Sequence, residues 1–152
     1  MKVIDVLEKE AILLNLKSTD KRGVIEELAE AVAMISQISK DILVQILMDR
    51  EKLGSTGIGK GIAIPHGKLK DINNAIVGFG RSKEGVKFEA IDRRPCHIFF
   101  LIITPESSAS VHLNLLGQIA RMLKNETFKE KLISAFDPEE IYNIIRDFEE
   151  NF

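Results

Sequence analysis

Two apolar runs constrain this chain more than any other feature: residues 75–79 and 96–103, the second interrupted only by His97, and together rich in Ile and Phe. A short run without polar alternation fits a strand covered on both faces. Such a sheet needs helices on each side, and the rest of the chain supplies them. From Asp20 the apolar residues Val24, Leu28, Val32 and Ile35 fall at helical spacing, with Ser18, Thr19 and Asp20 available as caps. A second helix is expected over about residues 41–52, with Ile42, Leu43, Ile46 and Leu47 on its buried stripe and Gly54 ending it. A third runs from the cap candidates Ser107, Ser108 and Ser110 to about Leu123, carrying Val111, Leu115, Ile119 and Met122. Asn125 can cap a further short helix. Asp137-Pro138-Glu139-Glu140 is a strong start signal for a last helix that buries Ile141, Ile144, Ile145 and Phe148.

Shorter strands are expected over residues 10–16 and 62–64, the latter closed by Pro65. The charged, turn-rich stretch 81–94 reads as a hairpin or a long connection. The expected fold is therefore α/β, a mixed β-sheet sandwiched by helices, in a single domain over residues 1–152. At 152 residues the chain can bury a useful core without disulfides or metal. A formal net charge of −2 gives no electrostatic footprint for nucleic acid. The lone Cys96 excludes an internal disulfide and fits a reducing, cytoplasmic setting. The N-terminus lacks the apolar core of a signal peptide, and no apolar run is long enough to span a bilayer, so membrane insertion is not expected.

The candidate chemistry begins in the loop Gly54-Ser-Thr-Gly-Ile-Gly-Lys-Gly61. It matches part of a nucleotide-binding P-loop. However, Gly61 stands where Ser or Thr must hold magnesium, and a helix rather than a strand precedes it. The loop can instead turn backbone amides toward an anion, which makes Ser55, Thr56, Gly57, Gly59 and Gly61 candidate phosphate-loop residues. Just beyond lies Pro65-His66-Gly67, a histidine expected at a strand end beside a glycine that allows close backbone approach. A neutral imidazole keeps one unprotonated nitrogen and can take a covalent group. His112 lies in the first turn of the third helix, on its inward stripe, where unpaired amides favour an anion. Arg50, near the end of the second helix, can offer a fork of donors to a phosphoryl group. Its neighbour Glu51 either orients it or is surface charge. His97 and Cys96 read as strand residues, and the three histidines do not match a known metal-ligand spacing.

The stretch from Gly54 through Ile-Pro-His66-Gly-Lys68 resembles the active-site signature of enzyme IIA of the bacterial phosphotransferase system, in its fructose/mannitol/nitrogen class. The resemblance continues through Asp49-Arg50-Glu51-Lys52, Arg81-Ser-Lys-Glu-Gly-Val86, Phe88-Glu-Ala-Ile-Asp92 and His112-Leu-Asn-Leu-Leu116. It implies that His66 is phosphorylated, as tele-phosphohistidine, by a phosphohistidine carrier protein (HPr or NPr). It implies that His112 supports the phosphoryl group and that Arg50 stands beside it. It implies an α/β sandwich, no cofactor and no metal, and an enzyme IIB or regulatory target proteins as further partners. A single domain with no linker at either end favours the nitrogen-regulatory type over the fructose or mannitol sugar-transfer types. The rival classes are a pure binding module switched by phosphorylation and a metal-dependent hydrolase using the histidines.

Overall fold

The computed structural model describes residues 1–151. A short 3-10 turn, Val3–Asp5, leads into strand β1, Leu7–Leu13. Helices α1, Lys21–Ser36, and α2, Lys40–Lys52, follow. Three short strands come next: β2, Gly57–Gly59, β3, Ile62–Ala63, and β4, His66–Leu69. Two long strands, β5, Ile76–Val86, and β6, Cys96–Pro105, precede helices α3, Ala109–Met122, α4, Glu126–Ser134, and α5, Pro138–Asn151.

The six strands form one mixed sheet in the order β1-β5-β6-β3-β2, with β4 also paired to β6. β6 runs antiparallel to β5 and parallel to β3 and β4. The apolar run on β6 serves two cores. Ile98, Phe100 and Ile102 pack with α3, α4 and α5 on one face, while Phe99, Leu101 and Ile103 pack with α1 and α2 on the other. Successive residues point to opposite faces, so burial on both leaves no polar alternation. The α/β expectation holds.

Several local expectations shift. β1 begins three residues earlier than residues 10–16, and its pairing with β5 is irregular between Leu7 and Ile12. β5 continues through Val86, so the first part of the charged 81–94 stretch is strand and the remainder is the hairpin connection to β6. Ile42 is 51% exposed, and Val44 and Glu51 take places on the inward side of α2. Asp20, Asn125 and Asp137 accept from the amides of Gly23, Phe128 and Glu140 as helix caps. Ser108 precedes α3 without a side-chain cap.

The detail that creates the site is a broken strand. β3 and β4 lie end to end against β6, with Ile62 opposite Ile98 and His66 opposite Ile102. Between them Ile64 leaves the ladder and sends its amide to the Thr56 carbonyl at 3.0 Å. Pro65 has no N–H to add, but its carbonyl accepts from the Ile102 amide at 3.0 Å. His66 therefore opens a new strand; it does not end the preceding one, as the Pro65 boundary had suggested.

Candidate functional site

Each side chain at this break is placed by a local cause. Gly67 matters by what it lacks: a Cβ there would stand 2.5 Å from Cγ2 of Ile46. The close approach is thus to a side chain of α2, not to another backbone. Ile46 and Arg50 are four residues apart, hence on one face of the helix. Seating Ile46 on Gly67 brings Arg50, one turn further on, to His66. The Arg50 Nε–H donates to His66 Nε2 at 3.2 Å, and Nη1 donates to the Gly54 carbonyl at 3.0 Å.

The other ring nitrogen is occupied from behind. His66 Nδ1 lies 2.7 Å from the Ile64 carbonyl, the one freed by the break. A carbonyl only accepts and a guanidinium only donates, so together they select the tautomer with the proton on Nδ1 and the lone pair on Nε2. Burial, and next the Arg50 charge, hold the His66 pKa below the usual histidine value, against the Ile64 bond, which raises it. The ring is neutral at neutral pH.

His112 is buried on the inward stripe of α3, as its spacing indicated. Its ring centroid is 5.2 Å from that of His66. Nδ1 is 2.6 Å from the hydroxyl of Thr104, a fully buried residue near the end of β6. Burial above all, with repulsion from a protonated His66 and from Lys68 beyond it, lowers the His112 pKa to about 4. Thr104 was not foreseen. Its only signal in the sequence is a polar residue directly after an apolar run.

The sequence candidates thus divide. Arg50, His66 and His112 come together; the glycine loop is used differently from the expectation. The Thr56 amide donates to the Glu51 carboxylate at 3.0 Å, and the Gly57 amide to the Ser55 hydroxyl at 3.1 Å, so neither is open to an anion. Gly57 and Gly59 pair with β3, and Gly61 accepts through its carbonyl from the His97 and Ile98 amides. His97 bonds Ser82 through Nδ1 at 2.8 Å. It lies five residues along β6 from the partner of His66, roughly 16 Å away at strand rise. Burial, with the Asp92 charge nearby, pushes the Cys96 thiol up to about 11, which suits an inert residue. Among the described residues no group of three His, Cys, Asp or Glu side chains could hold a metal ion, and no helix is long and apolar enough to cross a membrane.

A helix-covered mixed sheet gathering two neutral histidines and an arginine at a strand break defines the histidine-centred α/β class that the loop signature resembles. The family model described as "Phosphoenolpyruvate-dependent sugar phosphotransferase system, EIIA 2" matches residues 5–148, and the chain belongs to that family. It is a type-2 enzyme IIA, a phosphocarrier of that system, and nitrogen-regulatory-like. It is 35% identical over 95% of its length to a nitrogen regulatory protein of Bradyrhizobium diazoefficiens, covering 95% of that protein. It is also 35% identical to the fructose-specific EIIABC component of Bacillus subtilis, but spans only 23% of that longer protein. A fructose-specific EIIA component of Haloferax volcanii is 32% identical, with 90% of it covered. Among solved structures, the nitrogen regulatory protein IIA-Ntr of Neisseria meningitidis superposes with a TM-score of 0.88 at 31% identity, over 94% of this chain and 98% of that one.

Proposed function

We propose that this chain takes a phosphoryl group on Nε2 of His66 from a phosphohistidine carrier protein and serves mainly as a nitrogen-type regulator. The observation that supports the site is the fixed tautomer of His66, with Nδ1–H on the Ile64 carbonyl and the lone pair on Nε2. In the transfer, Nε2 attacks phosphorus as the N–P bond to the donor, a ring-protonated phosphoimidazolium, breaks. The donor ring leaves neutral, and His66 becomes a phosphoimidazolium whose Nδ1–H stays on Ile64. Arg50 must release Nε2 for phosphorus to reach it, and its guanidinium then meets the phosphoryl oxygens, aided by the Lys68 charge that also bears on both histidines. In the tautomer where the Thr104 hydroxyl donates to Nδ1 of His112, the Nε2–H of that ring is available to hold a phosphoryl oxygen. The step needs positioning and electrostatics, with no metal and no cofactor.

A protein donor needs a face to dock on. Leu53, beside the Arg50 end of α2, is 84% exposed, and Leu113, next to His112, is 69% exposed. Phosphorylation adds close to two negative charges at that face, by analogy with other phosphorylated residues, and so can exchange one set of partners for another. The lone buried Cys96 accords with a cytoplasmic setting. The test is incubation with phosphoenolpyruvate, enzyme I and the carrier. An acid-labile phosphate on Nε2 of His66, seen by NMR and absent from His66→Ala, is the expected result. Full labelling of His66→Ala would overturn the assignment. The second reading, a fructose-type donor to an enzyme IIB, draws on the Haloferax volcanii relative. Rapid stoichiometric sugar phosphate from the phosphorylated protein, a fructose permease and fructose would favour it.

A further inference from the structure

Beside the Arg50–His66 pair lies a buried ion cluster that the transfer step leaves untouched. Glu51 is 7% exposed, although its neighbour Arg50 reaches the site. Its carboxylate meets the Lys21 ammonium at 3.0 Å and accepts the Thr56 amide at 3.0 Å. It also accepts a short hydrogen bond from the Thr56 hydroxyl. Lys21, at the start of α1, sits 5.0 Å above the Phe88 ring and 3.5 Å from the Ser55 hydroxyl. That hydroxyl donates to the Phe88 carbonyl at 3.3 Å and accepts the Gly57 amide at 3.1 Å.

A carboxylate taken out of water is strongly unfavourable unless its oxygens are fully bonded. Both Thr56 donors that satisfy Glu51 belong to the turn after α2, so the buried charge dictates the shape of that turn. The same turn presents the Gly54 carbonyl to Nη1 of Arg50, and Arg50 in turn rests on Nε2 of His66. The Lys21, Glu51 and Thr56 contacts are thus joined to Arg50 and the reactive nitrogen through the backbone of residues 54–56.

We infer that Glu51, with Thr56 and Lys21, positions the phosphoryl-transfer site: it fixes the Gly54–Gly57 turn so that Arg50 is held beside Nε2 of His66, ready to meet the phosphoryl oxygens once it yields the nitrogen. This rests on the reading of His66 as the phosphoryl acceptor. The Glu51 charge itself bears on the His66 ring, so only a change that keeps that charge separates positioning from a cluster that merely holds the fold together.

Thr56→Val tests the difference, because it removes the hydroxyl without changing charge. In the full chain, NMR titration of the His66 ring is expected to move toward the ordinary histidine value, since Arg50 no longer bears on it. The rate at saturating carrier is expected to fall about 10- to 100-fold, the range for loss of an outer support, with carrier half-saturation unchanged. Thr56→Ser should restore both. Arg50→Met should shift the ring the same way, and adding Thr56→Val to it should change nothing further, because the two act through one contact. An unchanged His66 titration and rate in a less stable Thr56→Val, or independent additive shifts in the double variant, would overturn the inference. If Thr56→Val does not fold, Ser55→Ala loosens the same turn and is read by the same two measurements. The ring titration needs no phosphate, so it stands apart from the labelling of His66, whose failure would reject the function and not the positioning.

Discussion

Two arginines at opposite ends of the sheet do contrasting work. Arg81, on β5, is 2% exposed, and its guanidinium is spent on carbonyls: Nε on Leu14 at 3.1 Å and Nη1 on Leu132, Ile133 and Ala135 at 2.7–3.1 Å. Those last carbonyls end α4, where a helix leaves acceptors unpaired and its dipole is negative. Arg50 is half-buried, gives one donor to a carbonyl and rests another on a nitrogen lone pair. Burial lowers the Arg81 pKa, partly offset by Glu140. The lesson is that a buried cation enclosed by carbonyls is a staple. A cation facing a reactive lone pair at the surface is available to a substrate.

The largest expected effect separates them by stability. Arg81→Met removes the partner of several buried carbonyls and should lower the unfolding free energy by about 3–5 kcal/mol, judged by the cost of unpaired buried polar groups. Arg50→Met should cost less than about 1 kcal/mol of stability, as a half-exposed site does. It should slow phosphoryl acceptance roughly 10²–10³-fold, the usual loss for one oxyanion contact. Urea unfolding and stopped-flow labelling of both variants check this. Equal losses of stability would erase the distinction.

The same contrast marks what the sequence discloses. The two apolar runs announce central strands because both of their faces are covered, and the helix caps at Asp20, Asn125 and Asp137 act locally. His66, His112 and Arg50 are legible through residue type and motif. What is lost depends on tertiary contact. Glu51 reads either as an orienter of Arg50 or as surface charge, and only its contacts with Lys21 and Thr56 put it in a buried cluster. Ile42 fits a helical stripe, yet the sheet turns α2 so that it faces outward. Arg81 sits in a charged stretch that suggests a connection, although its partners come from residues 132–135, more than fifty positions away. β4 is hidden because four residues starting at a histidine carry no strand pattern of their own; their pairing is imposed by β6.

His112 sharpens the reactive end. Its ring lies beside His66 and is tied to Thr104, so it should support the phosphoryl group without carrying it. His112→Ala should still be labelled but pass phosphate on roughly 10²-fold more slowly. Thr104→Val, which leaves Nδ1 of His112 without its partner, should slow transfer by about tenfold, a loss near 1.4 kcal/mol for one hydrogen bond. Unchanged rates in both variants would make this pair structural, like Arg81.

Acid should distinguish the two ends by a smaller margin. The pKa of His112 falls from 6.5 to about 4 in the folded chain. Between those values the unfolded chain binds the proton and the folded one does not, so stability rises with pH across this window. The contribution is fully present above the unfolded value and is lost progressively as the pH falls toward about 4. His66 adds to the trend in the same direction, since its folded pKa is also lowered. Arg81 itself adds nothing to the trend, because an arginine stays charged throughout this range. Comparing wild type with His112→Gln by urea unfolding at about pH 7 and about pH 5 isolates the term, which is bounded by about 1.4 kcal/mol per pH unit for one proton. Wild type should lose more stability on acidification than the variant. Parallel losses would mean that His112 binds its proton as readily folded as unfolded, and that the reactive end is not the desolvated pocket its geometry describes.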